Sequence, residues 1–175
     1  MAKYFESHSN DISNCLRRLK KLKMNLDECD GVSAIELGSG NGFLSVCLLA
    51  AVATQKNVLK SLVVTDMTDH LRLIQSTLDA NSHVNDVCSV DVLVQEHAWG
   101  KFEQDEPKYD FIFGTDLAYR DYLYEPLISS LLRFSHEHTV SLIGVTMDDT
   151  RPKFFDMLRG AGFRYERLAG ENLFV

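Results

Sequence analysis

The chain has 175 residues, 45% of them hydrophobic and 25% charged, with a net charge of −7. That length holds one domain with a sizeable core, and no apolar run approaches the roughly 20 residues that span a bilayer. Residues 1–30 carry six basic and five acidic side chains and the remainder twelve and twenty, so the main body is acidic and nucleic acid is not its expected partner.

The N-terminus lacks the charged, apolar, small-residue order of a secretory signal. Cys15, Cys29, Cys47 and Cys88 form no C-x-x-C pair, which predicts a reduced protein inside the cell, cytoplasmic or nuclear, without a structural zinc. Residues 1–12 are polar and predicted to be poorly ordered. From Ile12 to Leu26, Ile12, Cys15, Leu16, Leu19, Leu22 and Leu26 recur at three- and four-residue spacing, with Arg17, Arg18, Lys20, Lys21 and Lys23 between them. That is an amphipathic helix. Its basic side reads as a docking face for an acidic partner or nucleic acid, or as a solvated face over a core-packed stripe; the second use is the commoner. Asp27–Gly31 ends it with turn residues, setting a helical segment, 1–31, before a main domain, 32–175.

From Val32 apolar strand patterns alternate with helical ones. Strands are predicted at Val32–Leu37, Leu62–Thr65, Val87–Val94, Tyr109–Gly114 and Thr139–Thr146. Helices are predicted at Gly42–Ala53, at Asp69–Ala80 capped by Thr68 with Leu71, Ile74, Leu78 and Leu73 inward, at Tyr122–Phe134, and from Pro152 to Gly160–Gly162. Phe163–Leu168 and Asn172–Val175 read as a closing hairpin. Such alternation predicts an α/β fold: a doubly wound, Rossmann-like, mostly parallel sheet with helices on both faces and an antiparallel hairpin at the C-terminus.

In such a sheet ligands bind beyond the C-terminal ends of the strands, so the residues that end each strand carry the chemistry. The first strand runs into Glu36-Leu37-Gly38-Ser39-Gly40-Asn41-Gly42. Glycines allow a tight turn and close approach of a ligand to backbone amides at a helix start. The pattern is G-x-G-x-G, with Phe43 where a dinucleotide motif has its last glycine. Glu36 would repel a pyrophosphate and favour a ligand carrying an ammonium or sulfonium charge. The second strand ends at Asp66, twenty-four residues after Gly42, where a carboxylate accepts from ribose hydroxyls in methyltransferases and dehydrogenases alike. The third runs into His97-Ala98-Trp99-Gly100; Trp99 either lies against an adenine ring or belongs to the core, and His97 reads as a loop histidine. The fourth ends in Gly114-Thr115-Asp116-Leu117-Ala118-Tyr119. A carboxylate leaving so apolar a run is not there for packing, because burying an unpaired charge is costly, and Asp116 is assigned a functional role.

ELGSGNG, VTDM, Asn81 and Asn85, AWG and YDFIFGTDLAY stand in an order that resembles the class I S-adenosylmethionine-dependent methyltransferases, and within them the seven-β-strand protein lysine methyltransferases with an Asp-x-x-Tyr element after strand four. The resemblance covers roughly residues 32 to 146. It implies S-adenosyl-L-methionine as cofactor, contacted by Glu36, Gly38, Ser39, Gly40 and Gly42 from the loop. Asp66 and Met67 would lie at the ribose, Ala98 and Trp99 at the adenine, and Thr115 would line the pocket. It implies catalytic roles for Asp116 and Tyr119, no metal, and a protein substrate presenting a lysine; a monomer that works away from membranes is expected. Members of the group carry a tryptophan upstream of strand one that closes over the cofactor; here Tyr4 and Phe5 are the nearest aromatic candidates. Two alternatives stand beside this reading: a non-catalytic binding module of the same fold, and a nucleotide-dependent oxidoreductase, which Phe43 disfavours.

Overall fold

A computed structural model describes residues 5, 7–25, 31–53, 55, 57–146, 150–166 and 168. In chain order the elements are α1 (Ser9–Asn25), β1 (Val32–Glu36), α2 (Phe43–Val52), β2 (Leu59–Asp66), α3 (Thr68–Ala80), α4 (Ser82–Cys88), β3 (Asp91–Glu96), β4 (Phe111–Thr115), a 3-10 turn (Asp121–Leu123), α5 (Tyr124–Phe134), β5 (Val140–Gly144) and α6 (Pro152–Gly160). Five strands form one sheet in the order β3-β2-β1-β4-β5, every neighbouring pair parallel.

The strands are apolar on both faces because helices cover both. Ala34, Leu62, Val64, Phe111 and Phe113 point to one side, where they meet Leu16 and Leu19 of α1, Leu48 of α2 and Ile74 of α3. Ile35, Val63 and Ile112, the alternate positions, point to the other and meet Leu127 and Leu131 of α5 and Phe154 of α6. Period-two alternation in the central strands thus divides the core into two layers. The predicted doubly wound α/β architecture is the observed one.

Several details differ from the sequence expectations. The run Val87–Val94 is not one strand: α4 occupies its start and β3 begins at Asp91. Val84 supplies the inward contact of α4, leaving Val87 64% exposed. Thr68 is the first residue of α3 and not its cap; Met67 caps in extended conformation. Leu73 faces out while Ile74 is fully buried. Helix α1 starts at Ser9, and Phe5, within the stretch expected to be disordered, is buried against Phe113 with ring centroids 6.0 Å apart. Phe5 therefore belongs to the core and is unavailable as a lid; Tyr4 lies outside the described residues. Of the expected hairpin, 163–166 form no strand and 172–175 lie outside the described residues. Among the described residues no helix is long and apolar enough to cross a membrane.

Helix α1 is tied to the sheet end opposite the strand C-termini. Asp110, just before β4, is buried. Its carboxylate accepts from Ser33 N–H (2.7 Å), Ser33 Oγ (2.8 Å) and Lys23 Nζ (3.0 Å), with His136 Nε2 at 3.1 Å. Burial alone would raise its pKa; the Ser33 and Lys23 hydrogen bonds outweigh that and hold it below the usual carboxylate range.

Candidate cofactor and active site

The chain crosses from one side of the sheet to the other between β1 and β4, and such a switch opens a crevice beyond the strand ends. Leu37 N–H donates to Phe113 O (2.9 Å), keeping the two strands paired up to its floor. Gly38 and Gly40 follow with φ of 62° and 63°, a region closed to most side chains. A Cβ on Gly38 would stand 2.8 Å from Trp99 Cζ2 and 2.9 Å from Leu117 Cδ2, whereas one on Gly40 would meet nothing within 4 Å. The first glycine admits packed neighbours; the second faces open space. Ser39 N–H donates to Thr65 O (2.9 Å), and its hydroxyl is buried near the Glu36 carboxylate. Gly42 then caps α2, its carbonyl accepting from Val46 N–H (3.3 Å).

Two carboxylates sit beneath this loop. Glu36 is 1% exposed and accepts a hydrogen bond from Ser45 Oγ of α2. Burial pushes its pKa up to about 7; the Ser45 and Ser39 hydroxyls oppose the shift, and the nearby Asp66 charge adds to it. Asp66 closes β2 and binds the loop: Oδ2 accepts from Gly40 N–H (2.6 Å), while Oδ1 accepts from Met67 N–H (2.7 Å) and lies 3.0 Å from His70 Nδ1. That hydrogen bond raises the pKa of His70. Met67 is half exposed beside it. The Asp66 charge suits a cationic ligand and opposes a pyrophosphate.

Trp99 and Ala98 are both half-buried in the loop after β3. The indole edge meets Gly38 while the side chain packs on the α5 face of the core, so the two readings of Trp99 are not exclusive. On the other side of the crevice, Thr115 ends β4, and Asp116 adopts φ 56°, which aspartate tolerates better than most residues. Its backbone N–H donates to Gly144 O (3.0 Å), and its exposed carboxylate accepts from Thr146 Oγ1 (2.9 Å) and Thr115 Oγ1 (3.2 Å). Tyr119 is 46% exposed, with the Arg120 guanidinium 6.0 Å from its ring centroid. Thr150 Oγ1 donates to Ala118 O (2.9 Å), pinning the loop after β5 over this turn.

A sequence profile of the lysine methyltransferase family matches residues 1–161. The chain belongs to that family. Protein N-lysine methyltransferase METTL21A of Mus musculus is 29% identical over 128 residues, 70% of this chain and 53% of the relative; the chain spans about half the length of the curated relative it matches. Ribosomal protein L11 methylase from Lactobacillus delbrueckii subsp. bulgaricus is similar in structure, with TM-score 0.57 and 19% identity over 88% of this chain and 73% of that one. The methyltransferase domain of bacterial CtHen1-C gives 0.53 and 12% over 83% and 80%. At such identities the likeness concerns the fold.

The lysine methyltransferase family frame fits the crevice. Open space at Gly40 and the Asp66 carboxylate beside it leave room for an adenosine-bearing cation. The structure brings Glu36, Gly38, Gly40, Asp66 and Trp99 into one contiguous loop system and sets Thr115 and Asp116 across the switch from it. Sequence reasoning missed Ser45, Leu117 and Thr146. Thr146 is a hydroxyl whose partner, Asp116, lies thirty residues away, Ser45 is a small residue inside an apolar helical run, and Leu117 reads as ordinary core.

Proposed function

We propose that this chain is an S-adenosylmethionine-dependent methyltransferase that transfers methyl to a lysine side chain of a protein. The observation that carries the reading is the acidic glycine loop at the β1–β4 crevice, in a chain of this family. We assign Gly38, Ser39, Gly40 and Gly42 to backbone contact with the cofactor, Glu36 to its positive charge, and Asp66 and Met67 to its ribose. Ala98 and Trp99 border its adenine, and Thr115 lines the pocket.

When bound, S-adenosylmethionine supplies a methyl group on a sulfonium, which leaves as a neutral thioether. The chain's own task is alignment and proton control. A lysine amine has a reference pKa of about 10.4 and attacks only when neutral. Positioning it on the reaction axis is worth orders of magnitude in rate. We assign Asp116, its carboxylate held by Thr146 and Thr115, and Tyr119, exposed three residues further on, to accepting N–H bonds from the amine and orienting it. The acidic body favours a basic protein surface over nucleic acid.

The test is incubation with methyl-labelled cofactor and cell extract, beside extract whose lysines have been reductively dimethylated. Labelled protein in the first and none in the second is expected; equal labelling overturns lysine as acceptor. Asp116→Asn and Tyr119→Phe are each expected to lower transfer about tenfold or more, with S-adenosylhomocysteine affinity preserved. Full transfer by both removes their assignment.

A further inference from the structure

Trp99 lies between two residues that are both hydrogen-bonded to one hydroxyl of α5. His97 is 7% exposed, edge-on to Phe134 with centroids 4.8 Å apart, and 5.9 Å from Phe102. Its backbone N–H donates to Asp66 O (3.0 Å), at the end of β2. Its Nε2 lies 2.9 Å from Oγ of Ser130, a fully buried residue of α5. The same Oγ accepts from Gly100 N–H (3.0 Å). The Ser130 hydroxyl, with one proton and two lone pairs, accepts from Gly100 N–H and is hydrogen-bonded to His97 Nε2 at the same time. Burial lowers the pKa of His97 and favours the neutral ring; the Glu106 charge opposes it.

One hydroxyl thus grips both sides of a two-residue span. Only Ala98 and Trp99 lie between the gripped residues, and the Trp99 ring edge is the group that meets Gly38. A shift of His97 or Gly100 is transmitted to the indole, because so short a segment has no slack. On the reading of the crevice as the cofactor site, we propose that Ser130, acting with His97, is a positioning residue: its two hydrogen bonds hold Trp99 against Gly38 and so set the affinity for the cofactor.

Trp99 is the chain's single tryptophan, so its fluorescence reports on the clamp directly. Ser130→Ala removes both hydrogen bonds. Acrylamide quenching of the protein without added ligand is expected to rise about twofold, and Kd for S-adenosylhomocysteine, by calorimetry, to weaken about tenfold. His97→Gln, whose side-chain amide can donate to or accept from the Ser130 hydroxyl, is expected to keep most of both properties. Asp110→Ala, at the far end of the sheet, controls for lost stability and is expected to change neither. Unchanged quenching in Ser130→Ala, or an equal rise in Asp110→Ala, overturns the clamp. Raised quenching with unchanged Kd overturns its link to affinity. If the unsubstituted protein fails to bind S-adenosylhomocysteine, the cofactor reading falls, and the quenching comparison still decides whether the clamp exists.

Discussion

Gly38 and Gly40 have the same backbone conformation and opposite surroundings, which gives them separable consequences. Alanine at 38 forces a methyl into Trp99 and Leu117, so Gly38→Ala is expected to cost about 1–3 kcal/mol of stability. Alanine at 40 meets no protein atom and pays only for its positive φ, about 1 kcal/mol. If a cofactor occupies the space beside Gly40, the second variant loses more binding than stability. Urea melts and calorimetry with S-adenosylhomocysteine, run on both, read the difference; equal effects on both measures would refute it. Glu36 makes a second residue-scale prediction. The fold favours its protonated form, so the folded chain keeps a proton that the unfolded chain releases between pH 4.5 and about 7. Stability from this group is greatest below that window and is lost as pH rises through it, by up to about 3 kcal/mol. Glu36→Gln keeps an acceptor for Ser45 and carries no charge. Its advantage over the unsubstituted protein in thermal melts is expected to be larger at pH 8 than at pH 5; a constant gap would contradict the assignment. Glu36 was visible in the sequence as an acidic neighbour of the loop. Its burial and altered proton affinity were not, because both depend on α2 closing over it.

At the scale of elements, α1 is joined to the sheet by its apolar stripe and by Lys23 on Asp110. The sequence pattern identified the stripe, and of its basic residues Lys23 is spent on an internal ion pair, while Lys20 Nζ donates to Asn57 O (2.6 Å). Neither partner is visible from periodicity, since each lies tens of residues downstream. Removing a buried charge leaves its partners stranded, so Asp110→Ala is expected to cost about 3–5 kcal/mol in denaturant melts at neutral pH. Because folding holds Asp110 ionised below the usual carboxylate range, that stabilisation is present at neutral pH and is lost on strong acidification. A cost below about 1 kcal/mol at neutral pH would show the network to be idle. The misreading of Val87–Val94 has a similar origin. A short apolar run is ambiguous between helix and strand, and here the boundary is set by α4 packing on α2 and by β3 taking its register from β2.

For the whole molecule, strand–helix alternation was enough to predict an α/β sheet wound on both faces, and the strand-ending residues indicated where its crevice would lie. The missing part was how the loops are held there: by Ser130 on α5, Thr146 after β5 and Thr150 beyond it, all small hydroxyl residues without a pattern of their own. Because all five strands run the same way, the sheet has two chemically different ends. One gathers the glycine loop, Asp66, Trp99 and Asp116; the other holds Asp110, Ser33, Lys23 and His136. A substitution's phenotype should therefore follow the sheet end it strikes. Changes at the first end that leave its packing intact, unlike Gly38→Ala, would yield folded proteins that fail in solution assays, and changes at the second would reduce the amount of protein recovered while sparing the specific activity of what remains. A saturation scan scored separately for abundance and for transfer would draw the same line across the chain that the sheet draws through space.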